Sequence, residues 1–553
     1  MQLNRTKPSR LRLWLTGSLL ALLHSGVTPA QEAASPAAAV DTPKPAAAQS
    51  VQQQPAVFDL FELRIKGNTL IEKKQLERTI YPFLGPKKSL DNVENARSAL
   101  EELYHGQGYQ TVAVDIPEQD VKNGVVYLQV VEGKISRLRV KDSRYFSLGK
   151  IKAGVPELAE GNVPNLPKMQ QQLAALSGQS QDRQIQPVLR AGETPGTLEV
   201  DLKVKDELPL HGRVEVNGRN TSSTSLLRLV NSLHYDNLWQ EMHSASLMYQ
   251  VSPENSSQVD VWAGTYALPV NDSGGRLALY GVVSSSSSQI SSAGALAVIG
   301  NGNIFGTRFV QPLKPLNDYF HSATLGVDYK DFKEDLKLAN SEGILTPISY
   351  VPFLTQYSGN FRGKEFNSSF DLALHFSIAG LGNKQSQFEN KRYLASAGYM
   401  YLTGDFKFQH ELPFGSEIRT HFSGQAADSP LISNEQYSLG GAMSVRGYFE
   451  TQALADNGLF GSLELYSPHL GMDDWDFVNK LKLLGFVDGG KGWMISPLPG
   501  NAKDYTLYSG GFGMAFQLWK RLSGNLNLGI PFVTLAPVHS GDPKLHFSVA
   551  TDF

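Results

Sequence analysis

No cysteine occurs among the 553 residues of this chain. That excludes a disulfide framework, a thiolate metal site and a thiol nucleophile. An excess of one charge is also missing. The 50 Lys and Arg stand against 53 Asp and Glu, a net charge of −3, and the signs are interspersed, so there is no basic face for nucleic acid. After the first few dozen residues, no stretch approaches the roughly 18 consecutive apolar residues a membrane helix needs. If the body of the chain meets a bilayer, it does so as strands. Marks of catalysis are scarce too. No Gly-x-Ser-x-Gly elbow accompanies the serines at 284–288, and 300–306 mis-spaces the dinucleotide fingerprint and lacks a βαβ setting. His211, His234 and His243 show no ligand spacing, which argues against a metal site. The chain is therefore read as a non-enzyme that holds no cofactor.

What is present begins with an address. Arg5, Lys7, Arg10 and Arg12 precede the apolar run 13–23, which is followed by Thr28-Pro29-Ala30. A basic stretch, a short apolar segment and small residues at the cut make 1–30 a signal peptide with Ala30 its last residue. Residues 31–57, rich in Ala, Pro and Gln, read as a linker unable to build a core.

From Phe58 the texture changes. Alternation over 61–65 predicts a strand, and 72–83 a short helix. Leu90, Val93, Ala96, Leu100, Leu103 and Tyr104 stripe a second helix capped by Ser89. Gly106 and Gly108 end it, and 111–116 with 125–131 form a hairpin turned at Asn123-Gly124. The order β-α-α-β-β then repeats: strand 135–140, helix 148–158, a helix striped by Leu166, Met169, Leu173 and Leu176, and a hairpin of 184–190 and 197–205. With Gly67-Asn68-Thr69, Gly108-Tyr109 and Val131-Glu132-Gly133-Lys134-Ile135, these units resemble POTRA domains, the periplasmic modules that precede outer-membrane barrels. The resemblance implies POTRA 1 over 58–133 and POTRA 2 over 134–207.

From His211 onward strand-length alternation fills the chain. At the end, Leu545, Phe547, Val549, Thr551 and Phe553 fall on one face, while Lys544, His546, Ser548, Ala550 and Asp552 fall on the other. This is the lipid-out, lumen-in dyad of a transmembrane strand. The terminal Phe553 resembles the signal read by barrel-insertion machinery. Strands near 544–553, 522–532, 508–517, 480–489 and 458–467, with ten to twelve further candidates upstream, predict an antiparallel barrel of about 16 strands over 208–553. Whether 392–412 is one strand or two stays open. With an even strand number and a periplasmic C-terminus, segment 426–457 starts from the extracellular side. The tight 519–521 fits a periplasmic turn, whereas 468–479 is long for one.

That segment holds Gly440-Gly441 and Val445-Arg446-Gly447-Tyr448, and it has the length to fold into the lumen. Further on stands Phe486-Val487-Asp488-Gly489-Gly490, with Asp488 on the face opposite Leu481, Leu483 and Val487. A lumenal Asp and a loop Arg are suited to a bidentate, partly desolvated pair. The two motifs resemble the Val-Arg-Gly-Tyr loop and the Phe-x-Asp-x-Gly strand of the superfamily that includes BamA and the TpsB transporters of two-partner secretion. By that resemblance Arg446 holds the loop inside the barrel through Asp488, Gly447 permits close approach and Tyr448 packs on the wall. Only two POTRA-like units are present, which favours the TpsB branch of the haemolysin and filamentous-haemagglutinin secretion type.

The implied function is translocation of an unfolded partner exoprotein, an adhesin, cytolysin or toxin. The POTRA pair captures it and the lumen of a monomeric barrel, set in outer-membrane lipid, threads it. An outer-membrane assembly factor and a passive porin are the alternatives. Transporters of this type often carry a plug helix before the first POTRA, for which 31–57 is a poor helix former.

Overall fold

The computed structural model describes residues 57–121, 123–290, 299–333, 335–336, 344–471 and 476–553. The signal-peptide reading of 1–30, the linker reading of 31–57 apart from Val57, and the question of a plug helix lie outside these residues.

In the first α/β unit, strand Glu62–Lys66 is followed by helices Lys73–Ile80 and Leu90–Gly106 and by strands Val112–Asp115 and Val125–Glu132. The longer helix starts where the Asn92 side chain accepts the Ser89 N–H at 3.0 Å, a cap that satisfies a donor the helix leaves free. Its stripe of Val93, Ala96, Leu100 and Tyr104 is buried. Val125–Glu132 is the central strand, parallel to Glu62–Lys66 and antiparallel to Val112–Asp115. Its Val126, Leu128 and Val130 face the helices. A small ribbon of Phe58–Leu60 and Gly85–Lys88 was not legible from the sequence, because each strand is too short to show a period.

The second unit repeats this topology with Lys134–Lys141, Leu148–Ala153, Leu166–Ser177, Arg183–Ala191 and Thr197–Asp206. The helix expected over 148–158 stops at Ala153, and a 3-10 turn Pro156–Leu158 follows. Pro156 removes the N–H that would continue it. The two units meet at Gly108, whose carbonyl accepts Leu166 N–H at 2.9 Å. With φ +96° and a Cβ position 2.9 Å from the Asn165 side chain, residue 108 has room for glycine alone.

One buried carboxylate makes the second unit acid-sensitive. Asp201 accepts from Lys141 Nζ and Arg139 Nε, each at 2.9 Å, and also pairs with Arg190. The Lys141 hydrogen bond, then that of Arg139, brings its carboxyl down to about 2. Because the folded value lies below that of an unfolded Asp, near 3.9, its stabilising contribution is complete above about pH 4 and is lost as pH falls toward 2. Pepsin cleavage within 183–206 of the refolded full chain should therefore accelerate from pH 4 to pH 2 in the wild type. Asp201→Asn should be cleaved at a rate that depends less on pH across that window; equal slopes would refute the assignment.

Sixteen antiparallel strands, from Leu210–Asn217 to Lys544–Asp552, form a closed barrel. Ile348–Tyr350 and Pro352–Arg362 occupy one strand position, both pairing with Tyr319–Phe332. The region 392–412 supplies a single strand, Met400–Glu411, preceded by a short helix, Gln385–Lys391. The barrel closes where Ser548 to Asp552 pair with Asn217 to Arg213. Leu483 and Val487 stand outward, 52% and 55% exposed, while Asp488 between the same strands is 2% exposed. An apolar exterior around a polar interior is the pattern of a bilayer-spanning barrel.

The second α/β unit and the C-terminus share one end of the barrel. There Lys150 pairs with Glu241 at 2.7 Å, Gln240 donates to the Tyr145 carbonyl at 3.0 Å, and Phe553 and Gly212 exchange backbone bonds of 2.8 and 2.9 Å. Turns at this near end are short, as at 519–521. The exception, after Tyr466, is an extended hairpin: Ser467 and Leu470 still donate to Leu483 and Leu481, at 2.8 and 2.9 Å. Loops 378–399 and 428–456 lie at the far end.

Candidate functional site

Loop 428–456 leaves the far end and turns into the lumen. Its stem is a hairpin of Tyr437–Leu439 with Ala453–Ala455. Beyond the stem, Gly440 and Gly441 take φ of +96° and +110°, a left-handed pair that lets the chain double back. Glu450 then accepts the Ala442 N–H at 2.8 Å, closing the tip around Val445 to Tyr448.

At the tip, Arg446 lies flat on the wall. Its Nε and Nη2 donate to the two oxygens of Asp488, each at 2.7 Å, and its backbone N–H adds a third bond at 3.1 Å. Nη1 reaches Glu464 at 2.6 Å, and Nη2 reaches Ser462 at 3.2 Å. Ser462 in turn donates to Asp488 at 2.6 Å. The guanidinium carbon sits 3.5 Å from the centre of the Phe486 ring, a cation–π contact. Both members of the pair are buried, and each is satisfied on every side.

The neighbours explain why these residue types stand here. Gly447, at φ +94°, donates its N–H to His546 Nε2 at 2.9 Å. Tyr448 donates to the Val533 carbonyl at 2.8 Å, tying the tip to the loop after strand Leu522–Pro531. Val445 is fully buried. A Cβ at Gly490 would stand 3.0 Å from it and 2.7 Å from Leu439, so the wall is smooth where the loop lands.

All seven motif residues, Val445 through Tyr448 with Phe486, Asp488 and Gly490, thus meet in one place. Phe553 is elsewhere, 63% exposed on the outer face of the near end. Its ring lies over Gly212, where an added Cβ would stand 2.2 Å away.

Sequence reading missed four participants: Ser462, Glu464, His546 and Gly529. Alternation carried a signal for the first three, since Ser462 pairs directly with Asp488 and His546 shares the lumenal parity of the last strand. Gly529 carried none, though its Cβ position is 2.5 Å from Gly447 N. Beside the tip a cavity of about 450 Å³ remains, lined by Lys407, Arg419, His421, Glu464, Met443 and Ser444 among others.

Of the three histidines, His211 has acidic neighbours in space. Among the described residues, Asp182, His211 and Asp236 offer donor atoms within 4.8 Å of one another at the near end. They come from three separate segments, which spacing along the chain does not reveal. His211 already pairs with Asp182 at 3.0 Å.

Comparison with known proteins places this geometry. Residues 58–133 match the family model described as POTRA domain, ShlB-type, and 196–516 match that of the haemolysin secretion/activation protein ShlB/FhaC/HecB. The chain belongs to the ShlB/FhaC/HecB family. This ShlB/FhaC/HecB protein is an outer-membrane transporter of two-partner secretion, and the porin and assembly-factor alternatives give way to that function.

Among its relatives, the outer membrane transporter CdiB of Escherichia coli is 22% identical over 507 residues, covering 87% of this chain and 81% of that protein. The heme/hemopexin transporter protein HuxB of Haemophilus influenzae is 21% identical over 436 residues, covering 72% and 71%. CdiB of Dickeya dadantii is 25% identical over 195 residues, 35% of this chain and 34% of that protein. In fold, the family member is similar to solved CdiB from Escherichia coli, with a TM-score of 0.57, 19% identity and coverage of 92% and 93%. It is also similar to BamA from Haemophilus ducreyi lacking POTRA domains 1–3, with a TM-score of 0.54, 14% identity and coverage of 90% and 100%. The near end is therefore periplasmic and the far end extracellular.

Proposed function

We propose that this transporter captures an unfolded exoprotein on its two α/β units and passes it in extended form through the lumen, past the loop that Arg446 and Asp488 hold. The carrying observation is the buried, bidentate Arg446–Asp488 pair, which fastens an extracellular loop inside the lumen, against the inner face of the wall. Residues 58–133 and 134–207 act as POTRA 1 and POTRA 2, residues 1–30 direct export, and Phe553 presents the insertion signal. The barrel works as a monomer in outer-membrane lipid. With no nucleotide-binding motif in the sequence, folding of the exoprotein outside supplies the drive.

Four sheet edges are candidates for capture by strand addition. On Val112–Asp115, carbonyls are occupied by His105 and Arg97. Lys134–Lys141 is covered by Asn162 and Glu160. Arg183–Ala191 contains Pro187, which lacks a donor. Among the described residues no bond of that kind covers Glu62–Lys66, so this edge is assigned to the exoprotein.

Deleting the gene should remove one large protein from the surface while leaving other barrels in place. A photo-reactive amino acid at Arg64 should cross-link that exoprotein, and one at Lys152 should not. Equal capture at both positions would reject the edge assignment, and a general loss of barrels would reject the transport reading.

A further inference from the structure

Lumen-facing side chains of a membrane barrel are ordinarily polar. In this barrel the rule holds midway and fails toward the extracellular end. Midway, Arg308 donates to Asp328 at 2.8 Å, and Tyr280 adds a bond to the same carboxylate at 2.6 Å. Higher on the same and neighbouring strands, the inward positions are Ile304, Phe332, Ile348, Tyr350 and Tyr401, all buried. An apolar patch of this size facing a water-filled lumen would be costly. Most of its cover is supplied by segment 378–399. Phe388 of helix Gln385–Lys391 is fully buried, with ring centres 5.5 Å from Tyr350 and 6.0 Å from Tyr399. Leu431 and Ile432 of the neighbouring loop complete the cover.

Two buried carboxylates fasten it. Glu435 accepts from Lys330, Tyr350 and Tyr401, each at 2.6 Å, and so joins the base of loop 428–456 to the wall. Asp456, fully buried, joins the loops to one another. It binds both terminal nitrogens of Arg392, the second at 2.6 Å. It also accepts from Leu431 N at 3.0 Å, Gln436 Nε2 at 3.1 Å and Ile495 N at 2.6 Å. Three extracellular loops thus converge on one carboxylate, and the ion pair that secures the cover is made between loops instead of to a strand. Such a device can open without breaking the barrel ladder.

We propose that 378–399 is an exit lid, latched by Arg392 on Asp456 and separate from the Arg446–Asp488 clamp below it. It swings outward to let the exoprotein leave and uncovers an apolar patch on which the extended chain slides. This inference rests on the transport reading above.

The natural chain has no cysteine, so a lid can be tied at chosen points. Gln387 and Ser349 are neighbours, with Gln387 Oε1 accepting from Ser349 N at 3.5 Å. In the Gln387→Cys, Ser349→Cys double variant, a short disulfide-containing bismaleimide should bridge lid and wall. Secretion should fall at least tenfold and return when the linker is reduced, while each single-cysteine variant secretes normally after the same treatment. Failure of the bridge to form, or secretion at the single-variant rate with the bridge in place, overturns the lid. Absence of secretion from the untreated single-cysteine variants and from the wild type would instead overturn the transport reading.

Discussion

Arg446→Ala is expected to abolish secretion while the barrel still inserts. The substitution removes the two side-chain bonds that satisfy Asp488, along with the contacts to Glu464, Ser462 and the Phe486 ring. Asp488 is then left as a buried charge without its cation, and breaking such a pair by removing one partner costs about 3–5 kcal/mol. The cost falls on the loop. The sixteen-strand ladder closes without any bond from it, so heat-modifiable migration of the barrel should be unchanged while the exoprotein accumulates in the periplasm. Secretion at the wild-type level would remove the pair from the mechanism. Exchanging the charges, Arg446→Asp with Asp488→Arg, should restore secretion only in part. The carboxylate introduced on the loop would stand beside Glu464, and the cation would no longer lie on Phe486. A cycle of both single variants and the double variant isolates the coupling.

Gly529→Val should reproduce the loss from a strand two places along the same wall, with no charge altered. A Cβ there stands 2.5 Å from Gly447 N and 2.8 Å from the Arg446 carbonyl carbon. Both are backbone atoms, so no rotamer change relieves the contact. The tip must lift, giving up the Gly447–His546 bond and straining the three Arg446–Asp488 bonds. We expect secretion to fall at least tenfold, the equivalent of about 1.4 kcal/mol. Gly404→Ala is the control: it lies in a barrel strand with nothing within 4 Å of its Cβ position, and it should secrete normally. If the two variants secrete alike, the seating of the tip on Gly529 is unimportant.

These substitutions also separate what was legible early from what was not. Arg446 and Asp488 stand out in the sequence because each sits in a short motif, and alternation around Leu483 and Val487 turns Asp488 inward. The β-α-α-β-β units were legible for the same kind of reason: a helical stripe, a cap at Ser89 and a turn at Asn123-Gly124 are interactions among near neighbours. The division of helix 148–158 at Pro156 is also written locally, in the missing N–H of the proline. Gly529 is different. Nothing near it in the chain distinguishes it from other strand glycines, and its importance comes from a loop tip about eighty residues earlier.

By itself, then, the sequence determined the class of the molecule: two small α/β units, then strands of period two with an apolar outer face, ending at Phe553. It also determined the two motifs that meet in the lumen. The tertiary structure decided which walls the loop touches, that Ser462, Glu464 and His546 complete the clamp, and that Phe388 and Arg392 belong to a cover at the exit. The physical reason is one of range. Periodicity, caps and turns are set by contacts a few residues apart, whereas register around a closed barrel is set jointly by all sixteen ladders, and only that register brings residues 392 and 456, or 447 and 529, within reach of each other.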